Sequence, residues 1–270
     1  MKRELKDKVL VVTGASAGIG AATAMEAARR GMRVVLSARR LEKLEEVAGR
    51  IEKEGGRARC VVGDVTDPAS MGALMAEAVD AFGRIDVAYA NAGYGLVKTV
   101  LDTTDEEHRA IFETNYFGTI HTVRAAMPAL RETVDGLKQV VICSSCVSEL
   151  GLPEMGAYCA TKAAQDGLAG ALRLELEPEG VAVTTVHPVG TTSDFFTTAA
   201  EQSGYRPKRR LLPDGPQQTP EHVAKRIVAA MERPRAEVWP MPGVRFGLGI
   251  ATMFPSLGVW GARRHTPPRE

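Results

Sequence analysis

The 270-residue chain lacks a surplus of charge, a cysteine framework and a long apolar run, and each absence removes a class of function. Lysine plus arginine number 34 against 33 aspartates and glutamates, so no field of one sign recruits a polyanion, and nucleic acid is not expected as a partner. The four cysteines, Cys60, Cys143, Cys146 and Cys159, have neither the spacing of paired zinc ligands nor the density of a disulfide scaffold, and read as ordinary thiols. The charged stretch 1–8 runs into only four apolar residues, 9–12, too few for the core of an export signal, so the expected location is cytoplasmic. The uncharged stretch 246–261 is broken by glycines and Pro255, which argues against a membrane span. No repeat, low-complexity segment or linker divides the chain, and 1–270 is expected to fold as one domain.

What is present is an alternation of short β-branched runs with stretches of helical period. The runs are 9–13, 33–37, 58–62, 85–90, 139–144, 181–187 and 236–239; the helical stretches include 19–30, 41–54, 68–82, 105–131 and 156–177. Strands that are apolar on both faces and separated by helices predict an α/β fold: a doubly wound parallel sheet of about seven strands between two helical layers. The segment 190–219, rich in Thr, Gly and Pro and carrying the basic run Lys208-Arg209-Arg210, shows no clear period and is expected to be a lid over a binding site.

Three local patterns carry chemistry. Between the first strand and first helix lies Thr13-Gly14-Ala15-Ser16-Ala17-Gly18-Ile19-Gly20. Glycines there permit a tight turn and close approach of a pyrophosphate to the positive end of a helix. Tyr158 and Lys162 stand four apart on one face of a predicted helix, where an ammonium can lower the pKa of a phenol from its usual value of about 10 and so fit it for proton transfer. Ser145 ends the fifth predicted strand, at the edge of a doubly wound sheet where ligands bind, and a hydroxyl there can hold a substrate oxygen. Asn115, a mediocre helix former inside 105–131, marks a local distortion of that helix. Cys143-Ser144-Ser145-Cys146 also spells CxxC, but a redox pair opens a helix, whereas Cys143 falls within a strand. His187 at a strand end reads as packed and hydrogen-bonded; it has no second ligand beside it, and no metal is expected.

In order and spacing these residues resemble the short-chain dehydrogenase/reductase family, in the form with a TGxxxGIG turn, an Asn-Ala-Gly segment and a Ser-Tyr-Lys-Asn tetrad. The resemblance runs from Lys8 to about Trp239 and implies a Rossmann-type domain that moves a hydride between a nicotinamide dinucleotide and a carbonyl or secondary alcohol. It makes Tyr158 the acid/base, Lys162 its tuner and a ribose ligand, Ser145 the group that orients the reacting oxygen, and Asn115 the holder of a relay water. It places Gly14, Ser16, Gly18, Ile19 and Gly20 around the pyrophosphate, Asp64 and Val65 at the adenine, Asn91, Ala92 and Gly93 beside the cofactor, and Pro188, Val189 and Thr191 near the carboxamide. Ala90 stands where the family often has a further asparagine, and His187-Pro188-Val189-Gly190 departs from the usual Pro-Gly pattern.

The second strand ends Ser37-Ala38-Arg39-Arg40 with no carboxylate to accept from ribose hydroxyls. Arg39, with Arg40 and the Ser37 hydroxyl, suits a 2′-phosphate, so NADP(H) is expected over NAD(H). Phe195 and Phe196 in the lid suggest an apolar small-molecule substrate. The family resemblance implies a homodimer or homotetramer. The tail 243–270 is expected to pack on its own domain or on a partner subunit, with contact to an anionic membrane surface as the second reading. The rival to an enzyme is a non-catalytic, nucleotide-binding regulator or scaffold, and within enzymes an epimerase or dehydratase on the same fold. An intact Ser145, Tyr158, Lys162 and Asn115 set favours the oxidoreductase.

Overall fold

The computed structural model describes residues 2–134, 137–192, 195–204 and 217–264. Seven parallel strands, Val9–Thr13 (β1), Arg33–Ala38 (β2), Arg57–Val62 (β3), Val87–Ala90 (β4), Gln139–Cys143 (β5), Ala182–Val186 (β6) and Glu237–Val238 (β7), form one sheet in the order β3-β2-β1-β4-β5-β6-β7. Helices Gly18–Arg29 (α1), Leu41–Lys53 (α2), Pro68–Phe82 (α3), Asp105–Phe112 (α4), Gly118–Glu132 (α5), Gly156–Leu176 (α6), Phe195–Ser203 (α7) and Pro220–Glu232 (α8) follow the strands, and Pro242–Met253 (α9) and Pro255–Arg264 (α10) end the described chain. The Rossmann-type doubly wound sheet is the fold that the alternating pattern predicts.

Alternation along each strand divides the core into two layers. Leu10, Val12, Val34, Leu36 and Val141 face Ala24 of α1, Leu44 of α2 and Ile227 of α8. Val9, Val11, Val35, Val140 and Ile142 face Leu74 of α3, Val123 of α5 and Ala169 of α6. The strand order reverses beside β1 and β4, so the loops at their carboxyl ends part and leave a crevice. Strand β4 begins at Val87 rather than at Ile85 because the fully buried Asp86 takes other partners: its Oδ2 accepts from Val9 N at 2.8 Å, and Arg84 pairs with the carboxylate at 2.6 Å.

The expected helix 105–131 is continuous but changes its winding: a π-turn, Glu113–Phe117, separates α4 from α5 and contains Asn115. The expected structureless lid is partly helical, since α7 lies within it, and its two ends are joined by a bridge between Thr191 and Gln218. Lys208, Arg209 and Arg210 lie outside the described residues. The tail, expected to pack on its own domain or on a partner subunit, meets its own domain in part: α9 touches the 3₁₀ turn Cys146–Glu149 and Arg245 pairs with Glu237 at 2.8 Å, while no residue of α9 is buried and Phe246, Ile250, Met253, Leu257 and Trp260 of α9 and α10 are exposed. Among the described residues no helix is long and apolar enough to cross a membrane, and no cluster of three or more His, Cys, Asp or Glu side chains is placed to hold a metal.

Candidate active site

The glycine turn is built by close backbone approach. Gly14 (φ +66°) and Gly18 (φ +56°) occupy the left-handed region, and a Cβ on Gly20 would fall 2.4 Å from Gly14 O. The Asn91 side chain locks this turn to the end of β4 by donating from Nδ2 to Thr13 O at 3.0 Å and Gly14 O at 3.1 Å. Thr13 Oγ1 accepts from Asn91 N at 3.2 Å and Ala92 N at 3.3 Å. Asn91 is therefore spent on protein backbone. Helix α1 starts behind Ser16 and Ala17 with no side-chain cap and no acidic residue in its first turn, so the free N–H groups at Gly18, Ile19 and Gly20 keep their positive end. That arrangement fits a pyrophosphate.

At the end of β2 the three expected contacts separate. Ser37 is only 1% exposed and its Oγ faces Gly63, where a Cβ would lie 2.8 Å away; it does not join Arg39 and Arg40 at the surface. Both arginines are exposed, and neither guanidinium makes an ion pair among the described residues. Asp64 Oδ1 accepts from Thr66 N at 3.0 Å and Thr66 Oγ1 at 2.9 Å. Those bonds, the backbone one foremost, with the field of Arg39, hold its carboxyl below the usual carboxylate range. Val65 is buried against Gly118, and its carbonyl contacts His121 Nδ1 at 2.9 Å.

Ser145 leaves β5 and caps the short 3₁₀ turn Cys146–Glu149, its Oγ accepting from Val147 N at 3.4 Å. Tyr158 and Lys162 enter from α6 and are nearly completely buried. Lys162 Nζ lies 5.6 Å from the Tyr158 ring centroid and donates to Cys143 O at 2.7 Å and Gln165 Oε1 at 2.8 Å. The balance at the phenol runs opposite to the sequence expectation. Burial pushes Tyr158 well above its usual value, the Ser145 hydroxyl opposes this only in part, and burial pushes Lys162 down. Asn115 also differs from its expected part as holder of a water. Its Nδ2 donates to Tyr94 O at 3.0 Å and Thr161 Oγ1 at 3.1 Å, and its Oδ1 accepts from Tyr94 N at 3.0 Å. Its carbonyl accepts from Thr119 Oγ1 at 2.8 Å and Gln165 Nε2 at 2.7 Å, which uses both lone pairs.

The short chain dehydrogenase family model matches residues 8–204, which include the glycine turn, Ser145, Tyr158 and Lys162. The chain belongs to that family. Dehydrogenase/reductase SDR family member 7B of Bos taurus is 30% identical over 95% of this chain and 81% of its own. The uncharacterized oxidoreductase YxnA of Bacillus subtilis is 31% identical over 94% of this chain and 71% of its own. Among solved structures, a short-chain type dehydrogenase/reductase from Mycobacterium marinum has TM-score 0.75 at 30% identity, covering 85% of this chain and 89% of that one. An alcohol dehydrogenase from Thermococcus sibiricus, complexed with 5-hydroxy-NADP, has TM-score 0.72 at 28% identity over 85% of this chain and 94% of that one. The family consists of oxidoreductases that use a nicotinamide dinucleotide and act on small molecules.

In this short-chain dehydrogenase the far side of the site is closed by protein contacts. Pro188 O accepts from Cys146 N at 3.1 Å, Val189 N donates to Gln218 Oε1 at 3.3 Å, and Thr191 is buried beside Gln218. Gln218 anchors a loop that the resemblance assigns to the carboxamide. His187 stacks on Trp239 with ring centroids 4.2 Å apart, and its nitrogens lie 3.3 Å from Ser145 O and 3.1 Å from Thr185 Oγ1, the packed arrangement expected of it. Burial pushes the Cys146 thiol up to about 11, the reverse of a reactive thiolate. Around Tyr158 the dehydrogenase gathers Tyr94, Leu96, Val147, Leu152 and Phe195, with the Phe195 ring 5.5 Å from that of Tyr158. The Phe196 side chain lies outside the described residues. Gln165, Thr119 and Gln218 belong to no motif of the sequence; a polar residue at a position of apolar helical period is the sign that Gln165 offers.

Proposed function

We propose that this chain is an NADP(H)-dependent oxidoreductase that interconverts a carbonyl and a secondary alcohol on a small apolar molecule. The observation that carries the reading is the meeting of Ser145, Tyr158 and Lys162 at the carboxyl edge of the sheet, close to the glycine turn. Gly93 links the two: a Cβ there would lie 3.8 Å from Lys162 Nζ, and Asn91 two residues earlier bonds Gly14. A bound nicotinamide supplies or takes the hydride. Tyr158 gives its phenolic proton to the carbonyl oxygen in reduction and takes it back in oxidation. Ser145 orients that oxygen by hydrogen bonding, and Lys162, with two N–H groups bonded to Cys143 and Gln165, has its third for the nucleotide ribose.

The choice of phosphate-bearing cofactor rests on Arg39, exposed, without an ion pair among the described residues, and adjacent to no carboxylate on β2. The NADP-type ligand of the Thermococcus sibiricus relative is in keeping with it. The apolar wall formed by Leu96, Val147, Leu152 and Phe195 supports an apolar substrate. The test is a panel of carbonyls and alcohols followed by nicotinamide absorbance with both cofactors. Turnover with NADPH or NADP⁺ is expected; nucleotide binding without turnover of any substrate would favour the regulator instead.

A further inference from the structure

Gln165 lies three residues beyond Lys162 on α6, is 1% exposed, and uses its whole amide. Its Oε1 accepts from Lys162 Nζ at 2.8 Å, and its Nε2 donates to Asn115 O and to Thr119 Oγ1, both at 2.7 Å. The orientation is unambiguous: an ammonium can only donate and a carbonyl can only accept, so the amide oxygen must face Lys162 and the amide nitrogen must face the π-turn. We propose that Gln165 is a positioning residue of this site, a buried amide that ties the Lys162 ammonium to the Asn115 carbonyl and stands where a bridging water would otherwise be needed. The proposal rests on the oxidoreductase reading for its purpose, though not for its geometry.

Two consequences follow from the chemistry of an amide. With Cys143 O and Gln165 Oε1 as fixed acceptors, the Lys162 ammonium has one N–H left and therefore one direction for it. An amide also does not pass protons as water does, so this bridge orients Lys162 without carrying a proton between Lys162 and Asn115. A packing role alone would be served by an apolar side chain, because a buried amide is favourable only when its polar atoms are bonded. The titratable groups bearing on Lys162 are Tyr158 and Asp166 on its own helix and the Cys143 thiol from β5; Asn115 and Thr119, facing it from the π-turn and α5, are neutral.

The test uses the full chain with ¹⁵N-labelled lysine and glutamine side chains, without ligand, the Lys162 signal being assigned by its loss in Lys162→Met. In the wild type the Gln165 amide protons and the Lys162 ammonium protons should exchange slowly with solvent. Gln165→Met, which fills the space without the polar atoms, should lower the pH at which Lys162 loses its proton by about one unit, as the loss of a charge-assisted acceptor does. Gln165→Ala should lower it less, because the freed space admits a water, which occupies about 30 Å³ in liquid. A side chain present only for packing predicts the reverse ranking, with alanine the more damaging. Fast exchange in the wild type, an unmoved Lys162 in Gln165→Met, or a larger change in Gln165→Ala would each overturn the proposal; the first of these needs no folded Gln165 variant. Failure of the oxidoreductase reading would show separately, as no turnover by a wild type whose Lys162 still depends on Gln165.

Discussion

Replacing Arg39 by alanine isolates the origin of cofactor choice, because its exposed guanidinium has no ion-pair partner among the described residues and its loss disturbs no core contact. A charge-assisted hydrogen bond contributes about 1.5–3 kcal/mol. Solvent screens an exposed arginine, so the lower end applies, and about 1.5 kcal/mol corresponds to roughly tenfold in dissociation constant. Asp64 stays ionised in the variant, since the Thr66 backbone N–H, ahead of Arg39, holds its carboxyl low. NADPH should therefore weaken roughly tenfold while NADH stays nearly unchanged, and the NADPH penalty should shrink as salt rises. Adding Ala38→Asp should invert the preference by repelling the 2′-phosphate and accepting from the ribose hydroxyls. Nicotinamide fluorescence titrations of both cofactors at low and high salt measure all of this. Equal wild-type affinity for the two cofactors, or an equal loss of both in Arg39→Ala, would rule out Arg39 as the 2′-phosphate ligand.

Gly20→Ala places a Cβ 2.4 Å from Gly14 O and 2.5 Å from Asn91 Nδ2, so the turn must open; a stability loss of about 1–3 kcal/mol is expected, read by denaturant unfolding, together with weaker binding of both cofactors. Unchanged unfolding and binding would contradict the close approach of turn and β4. Since burial raises Tyr158 above its usual value, the protonated phenol dominates at neutral pH: carbonyl reduction should proceed there, and kcat/KM for alcohol oxidation should climb with pH into the alkaline range. An oxidation profile that is flat from neutral to alkaline pH would exclude Tyr158 as the titrating base.

The sheet was legible because fully buried parallel strands are written as short apolar runs, and Val9–Thr13, Arg33–Ala38 and Gln139–Cys143 appear within a residue of their expected ends. Strand β4 is shorter than its apolar run because Asp86, between two apolar neighbours, does not announce that its carboxylate will bond Val9 N, a residue 77 positions away. The distortion at Asn115 was readable from poor helix propensity, but its partners were not, since they come from Tyr94, Thr161 and Gln165 on other segments. Helix α8 opens with Thr219 capping His222 N and Pro220 in the first turn, a signal that the strand pattern alone leaves unused. The burial of Ser37 is not written in strand alternation, which does not say how far the neighbouring β3 loop, at Gly63, covers the end of β2. Lysine four beyond tyrosine suggested a cation that acidifies the phenol; desolvation, which depends on the surrounding fold, acts more strongly on both.

If Tyr158 moves the proton of a nicotinamide-linked oxidoreduction, Tyr158→Phe should abolish the chemistry and spare the nucleotide site. The ring contact with Phe195 at 5.5 Å survives this change, while the hydroxyl is lost with its transferable proton and its hydrogen bond to Ser145. With a substrate taken from the carbonyl and alcohol panel, nicotinamide absorbance should show turnover falling by at least roughly 100-fold while cofactor affinity, measured by fluorescence, stays within about twofold of wild type. Near-normal turnover by the phenylalanine variant would exclude Tyr158 as the acid/base.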